Sequence, residues 1–443
     1  MSSSRDSRTR RGTVSERNVL ILSPELPAPD SGGPMRALQH LHLLNRLGYK
    51  PYLLSFFHRG QEAAVERMQG VLRRLTREVV MLPAPMPASD GLIGTLSRNV
   101  RYLMPLPRSR GWRVSQPYES DRYPLARAFD AASAAEHLLR LVMEKRIDLL
   151  IIMHAWLLHY LPAVRERRPS LQVVLDLVDL DSDLFAQLFR SGGRLSEQVR
   201  RVVGWVTMRR LERTYFPMCD EFWAIAPTEA DKIRGLCADR PIVIVPSVID
   251  VDRVLPCESD GLPGHLVFLG SLFFPPNQNA VTHLLKTLYP RIRRAKAATH
   301  LAIVGRGLSP AVERLARQTP GVTLSGYVPE TRPFYEDAQV VVVPMREGCG
   351  VRVKILEALA MGRAVVATPK AAEGLEVIDG KHIVIADSDD AFVAATLDLL
   401  RRPDRRRALG QNGRALVECR YSWQAAERIM AADTCLRHSV GGM

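Results

Sequence analysis

No stretch of the 443 residues approaches the ~20 consecutive apolar residues that a membrane-spanning helix needs. The six cysteines, Cys219, Cys237, Cys257, Cys349, Cys419 and Cys435, include no C-x-x-C pair, and Cys435 with His438 is too little for a metal site, so they read as reduced cytosolic thiols. The opening MSSSRDSRTRRGTVSER is basic but has no apolar h-region, which excludes a secretory signal and leaves a disordered tail over 1–16. No G-x-G-x-x-G follows the first strand-like run, so a dinucleotide fingerprint is absent. Short-period repeats and nucleic-acid motifs are missing as well.

What is present describes a chain long enough for two domains, with 46% hydrophobic and 24% charged residues. The net charge of +14 favours anionic partners such as nucleotides or lipid headgroups without choosing among them. Short apolar runs alternate with amphipathic segments twice over. The first set falls at 18–23, 51–56, 78–82, 148–153, 172–177 and 221–226, the second at 265–270, 300–304, 322–325, 339–344, 364–368 and 382–386. Helix-like stretches such as 35–47 and 132–144 separate most of them, which predicts two parallel sheets covered by helices. A Pro-, Gly- and acid-rich stretch at 245–264 reads as the linker. The expected division is a domain over 17–250, a second over 251–420, and a terminal helix over 421–443 that crosses back to the first.

The run EGCGVRVKILEALAMG at 347–362 is where chemistry is most legible. Gly348 and Gly350 permit a tight turn, and Val351, Ile355 and Leu359 then recur at helical spacing, so Arg352 and Lys354 fall in a first helical turn. Unsatisfied N–H groups and the positive end of the macrodipole already sit there, which makes each cation unfavourable by about 0.3–1 kcal/mol. A bound anion reverses that sign, and a phosphate is the natural candidate. The alternative is an exposed Lys354–Glu357 pair one turn apart, although a Lys preceding its Glu is the poorer orientation. Cys349 in this turn reads either as a small filler or as a thiolate stabilised by the helix start.

In open parallel sheets ligands gather beyond the carboxyl ends of strands. Gly32 and Gly33, His154, and the turn from Glu347 to Gly350 all follow predicted strands, so a cleft lined from both domains is the expected site.

The second half resembles the nucleotide-binding domain of the retaining glycosyltransferases of glycosyltransferase family 4. The matching residues are Gly270 with Pro275-Pro276-Asn277, Ile303-Val304-Gly305-Arg306-Gly307, Gly326-Tyr327-Val328-Pro329, EALAMG at 357–362, Val365-Val366-Ala367-Thr368, Glu373-Gly374-Leu375 and Tyr421-Ser422-Trp423. The first half agrees through Gly32-Gly33, His154 and VLDLVDLDSD, and the bacterial subgroup associated with exopolysaccharide gene clusters is the most similar. The resemblance implies a GT-B fold, two doubly wound Rossmann-like domains facing each other across a cleft.

It further implies a sugar transferred with retention from a nucleotide diphosphate sugar to a hydroxyl of an acceptor glycan, lipid-linked sugar or other compound. Glu357 would hold the ribose hydroxyls, and Arg352 and Lys354 the diphosphate. Gly32, Gly33, Gly305, Arg306, Tyr327, Val328 and the backbone of Gly348, Cys349 and Gly350 would complete the donor site. His154, Asp179 and Glu347 are the candidate catalytic residues, Asp179 being chosen from Asp176, Asp179, Asp181 and Asp183 as the acceptor-side acid.

Two departures stand out. The basic pair that usually follows the first strand of the second domain is missing from Gly270-Ser271-Leu272-Phe273-Phe274. Glu347 and Glu357 lie ten residues apart, wider than is common in the family, which leaves Glu347 open between a sugar contact and a solvated turn residue. No metal or other cofactor is expected, because no D-x-D occurs in the donor turn.

The rival readings are a catalytically idle nucleotide-sugar-binding or scaffold protein and a sugar-nucleotide epimerase on the same fold. The expected location is the cytoplasm. Arg200-Arg201 and Arg209-Arg210 enclose Val202, Val203, Trp205 and Val206 and, with an Arg-rich segment at 98–113, read either as a peripheral contact with the anionic inner membrane face or as a packed helix with a solvated Arg face.

Overall fold

The computed structural model describes residues 17–29, 32–57, 61–83, 131–190, 192, 195–348 and 350–437. The basic tail, the 98–113 segment and Cys349 lie outside them. Strands built from near-continuous Val, Ile and Leu, such as VLILS, LLIIM and VVVV, are buried on both faces, as parallel sheets covered by helices require.

The first sheet contains β1 (Val19–Ser23), β2 (Tyr52–Phe57), β3 (Glu78–Pro83), β4 (Leu149–Met153), β5 (Gln172–Leu177), β6 (Glu221–Ala224) and β7 (Ile242–Ile244), in the order β3-β2-β1-β4-β5-β6-β7. β7 escaped the sequence pattern because it is only three residues long and half-buried. The second sheet contains β8 (His265–Leu269), β9 (His300–Val304), β10 (Val322–Gly326), β11 (Val340–Val343), β12 (Ala364–Ala367) and β13 (Val384–Ile385), in the order β10-β9-β8-β11-β12-β13. Every strand pair is parallel. Each sheet therefore reverses its winding once, between β1 and β4 and between β8 and β11, and these reversals open the crevices where ligands bind in such folds.

The chain passes between the two cores twice, at neighbouring points. Val248 packs in the first core, where Gln39 Nε2 donates to its carbonyl at 2.8 Å, and Ile249 packs in the second. Tyr421 belongs to the second core, whereas Ala426 and Met430, on the helix Trp423–Ala432, belong to the first. Ile249 N donates to Tyr421 O at 2.7 Å, so the two crossings are bonded to each other.

Candidate functional site

Beyond β11 the chain turns through Gly348 at φ 108° and Gly350 at φ 72°, left-handed values that favour glycine. Space is short as well. A Cβ on Gly348 would stand 3.1 Å from Arg352 Nη2, and one on Gly350 would stand 3.3 Å from Val178 Cγ1 of the first domain. The carboxyl ends of the two sheets thus face each other here, and Gly374 repeats the contact against Ala226 and Thr228.

Arg352 immediately precedes the helix Val353–Ala360, is 6% exposed, and donates Nη1 to Gly350 O at 2.6 Å. The Lys354 amine donates to Asn277 Oδ1 at 2.7 Å and lies 4.5 Å from the Phe268 ring centroid. Burial, and then the adjacent Arg352, push this amine down to about 7 against the pull of Glu357. A Cβ on Gly270 would come 2.5 Å from Lys354 Nζ and 3.0 Å from Asn277 Nδ2. Gly270 follows β8, so a lysine 84 positions later in the chain delivers its amine to the place where the sequence shows no cation. The positive charge that reads as displaced along the chain is not displaced in space.

Glu357 lies one turn further along the same helix. Tyr335 OH shares its single proton between Glu357 Oε2 at 3.3 Å and Lys354 O at 3.2 Å. Burial raises the Glu357 carboxyl above its usual value, while Tyr335 and Lys354 oppose the rise. Glu347 accepts from Asn279 Nδ2, which ties it to the helix Pro275–His283.

The ends of β8, β9 and β10 are knitted together where Gly270 N donates to Val304 O at 3.0 Å and Gly305 N to Gly326 O at 2.8 Å. At φ 134°, Gly305 approaches so closely that a Cβ would lie 1.9 Å from Gly270 O. Arg306 extends from this turn over the rings of Phe273 and Tyr327, at 5.8 and 5.2 Å, and Tyr327 is 62% exposed. Val328, half-buried, packs against the core of the second domain.

In the first domain, Gly32 and Gly33 open the helix Gly32–Arg46 instead of forming a loop ahead of it, a correction to the expected start near residue 35. A Cβ on Gly33 would stand 3.3 Å from His154 Nε2. His154 holds φ 77°, a strained value outside glycine, and its N–H donates to Asp176 O at 3.1 Å. Burial pushes the imidazole down to about 4, so it is neutral at physiological pH.

The four aspartates prove to have separate roles. Asp176 is no part of an acidic ring at the cleft. It accepts from Arg36 Nε at 2.7 Å and Nη2 at 2.6 Å, with His40 Nε2 at 3.1 Å, and so braces the helix Gly32–Arg46. Burial alone would raise its carboxyl, but Arg36 and His40 hold it well below the ordinary range. Asp181 accepts from Trp156 Nε1 at 2.9 Å, and Asp183 pairs with Lys232 at 3.3 Å.

Asp179 faces the second domain, with Oδ2 3.7 Å from where a Gly350 Cβ would lie. Burial and Glu229 push its carboxyl up to about 6, partly countered by Arg352 and Lys232. Glu229, 4% exposed and 3.0 Å from Lys232 Nζ, belongs to this acidic wall. Sequence reasoning missed it, as it missed the Asn277 and Tyr335 contacts, because each depends on a neighbour distant in the chain.

Residues 263–402 match the family model described as Glycosyl transferases group 1. The second domain is a group 1 glycosyltransferase domain. Within this match lie Gly270, Arg352, Lys354 and Glu357. An uncharacterized 44.6 kDa protein in the cps region of Klebsiella pneumoniae is 22% identical over 164 residues, covering 35% of this chain and 42% of the relative. The GDP-mannose-dependent alpha-(1-6)-phosphatidylinositol monomannoside mannosyltransferase of Mycolicibacterium smegmatis is 33% identical over 151 residues, or 30% of this chain and 39% of the relative. The chain therefore spans about two fifths of the length of these curated relatives. HepE of Anabaena, solved with UDP and glucose, superposes over 94% of this chain and 98% of its own with a TM-score of 0.62 at 12% identity. That likeness extends the GT-B fold of the group 1 domain to both sheets.

Proposed function

We propose that the protein is a glycosyltransferase that moves a sugar from a nucleotide diphosphate sugar to an acceptor hydroxyl, with retention, in polysaccharide or glycoconjugate biosynthesis in the cytoplasm. One observation carries the reading. The Lys354 amine stands beside Gly270, at the reversal between β8 and β11, Arg352 at the start of the same helix lies close enough to repel it, and Glu357 is one turn away. This spacing suits a diphosphate at the cations and ribose hydroxyls at the carboxylate.

In this reading the cations stabilise the diphosphate as the glycosidic bond breaks, and positioning supplies the rest, with no metal needed for that charge. Asp179 is the acceptor-side acid, since a carboxyl near 6 is largely ionised at neutral pH yet basic enough to take a hydroxyl proton. His154, being neutral, serves as a hydrogen-bonding group near Gly33. A cps-region relative and a relative that acts on a phosphatidylinositol monomannoside support a glycan or lipid-linked acceptor.

The test is to incubate purified protein with a panel of nucleotide sugars and glycan or lipid-linked acceptors. Acceptor-dependent release of nucleoside diphosphate is expected. Donor conversion without acceptor would instead indicate an epimerase, and binding without turnover an idle binding protein.

A further inference from the structure

Among the described residues ten large hydrophobic side chains are exposed, and five of them, Phe189, Leu195, Val199, Val202 and Trp205, lie on one hairpin. The hairpin is formed by the helices Asp181–Arg190 and Leu195–Tyr215. Leu195, Val199, Val202 and the half-buried Val206 are spaced by four, three and four residues, which puts them on a single helical face. Thr207, Met208, Leu211 and Glu212 are buried on the other side, so the exposed stripe is not the packing face. The hairpin is also braced. Arg201 Nη1 donates to Leu188 O at 2.7 Å, and Ser182 Oγ to Glu212 Oε2 at 2.6 Å.

Charge indicates what covers the stripe. The longer helix carries five arginines, Arg200, Arg201, Arg209, Arg210 and Arg213, against Glu197 and Glu212, and Glu212 is buried. Arg213 is exposed and lies eighteen residues after Leu195, five full turns along the same face. Two copies meeting through this stripe would bring like charges together, which disfavours self-association. An apolar face with Trp and flanking arginines matches an anionic lipid surface, where apolar groups enter the headgroup boundary and cations meet phosphates.

We propose that this hairpin docks the protein on an anionic membrane and that the acceptor is carried on a lipid. The second clause rests on the glycosyltransferase reading. It follows from position: the hairpin begins at Asp181, two residues beyond Asp179, and the stripe begins at Phe189, about 12 Å further along the helix, a span that a lipid-borne acceptor can bridge.

The full chain would be floated with vesicles of phosphatidylcholine alone or mixed with phosphatidylserine, at low and high salt. Binding to the mixed vesicles and release as salt rises are expected. Trp205→Glu and Val199→Glu should each weaken binding by at least about tenfold while leaving nucleoside diphosphate affinity unchanged. Equal binding to both vesicle types, or unchanged binding by both variants, overturns the proposal. So does a dimer in sedimentation velocity that either variant dissociates, since a second copy would then cover the stripe. Vesicle binding by a protein that binds no nucleotide would overturn the transferase reading and leave the docking surface standing. Nucleotide binding without vesicle binding would do the reverse.

Discussion

The two walls of the cleft are built from opposite charge and are strained in opposite directions. On the donor wall Arg352 and Lys354 stand together, and burial with mutual repulsion pushes the lysine amine down to about 7. On the acceptor wall Asp179, Asp183 and Glu229 crowd, and burial with repulsion pushes Asp179 up to about 6. Opposite charge on each wall, Glu357 beside Lys354 and Lys232 beside Asp183 and Glu229, only partly offsets these shifts, and Arg352 is the donor-wall group that already acts on Asp179. In the proposed reading a diphosphate would relieve the donor wall and leave Asp179 as the base on the acceptor wall.

The largest expected effect comes from removing a donor-wall group that has no substitute. Glu357→Ala should weaken nucleoside diphosphate binding by about 1.5–3 kcal/mol, the range for hydrogen bonds to a charged group, with an unchanged melting profile. Calorimetric titration reads this directly, and unchanged affinity would remove Glu357 from the site. Next comes Lys354→Ala, for which turnover should fall at least about tenfold, or ~1.4 kcal/mol. Steady-state rates at saturating donor test this, and a normal rate would show that the amine does not meet developing charge.

Gly270→Ala probes the same wall indirectly. Its new methyl would stand 2.5 Å from Lys354 Nζ, and a flexible lysine can retreat, so a smaller loss of affinity than in Lys354→Ala is expected. A larger loss would mean that Gly270 itself contacts the nucleotide.

The architecture was largely legible because buried parallel strands leave long Val, Ile and Leu runs between helices, and all twelve apolar runs lie within two residues at each end of the strands that form. The run at 382–386 contracts most, to the two-residue β13 at the sheet edge, and β7 was too short to signal. The Gly348–Lys354 turn was legible from local chemistry, since glycines and a helix start are neighbours in the chain. Where sequence reading failed was across space. Lys354 reaches Gly270 and Asn277, and Tyr335 reaches Glu357, through folding that brings β8, β11 and three helices together. Asp176 looked like its neighbours in VLDLVDLDSD, and only the arrival of Arg36 and His40 separates it from Asp179.

The smallest effect sharpens the comparison through pH. In the free enzyme Asp179 must lose its proton near pH 6 and Lys354 must keep its own near pH 7, so kcat/KM should rise through about 6 and fall above about 7. Asp179→Asn should remove the acidic limb and leave the alkaline one. An acidic limb that survives this substitution would assign it to another group.

The central claim is that protein cations, not a metal ion, hold the diphosphate beside Gly270. Calorimetric titration of a panel of nucleoside diphosphates into the wild-type protein and Lys354→Ala, all in EDTA, tests it most directly. At least one diphosphate should bind the wild type in EDTA and bind Lys354→Ala at least about tenfold more weakly. Binding that disappears in EDTA and returns with magnesium, or equal affinity in the two proteins, would contradict it.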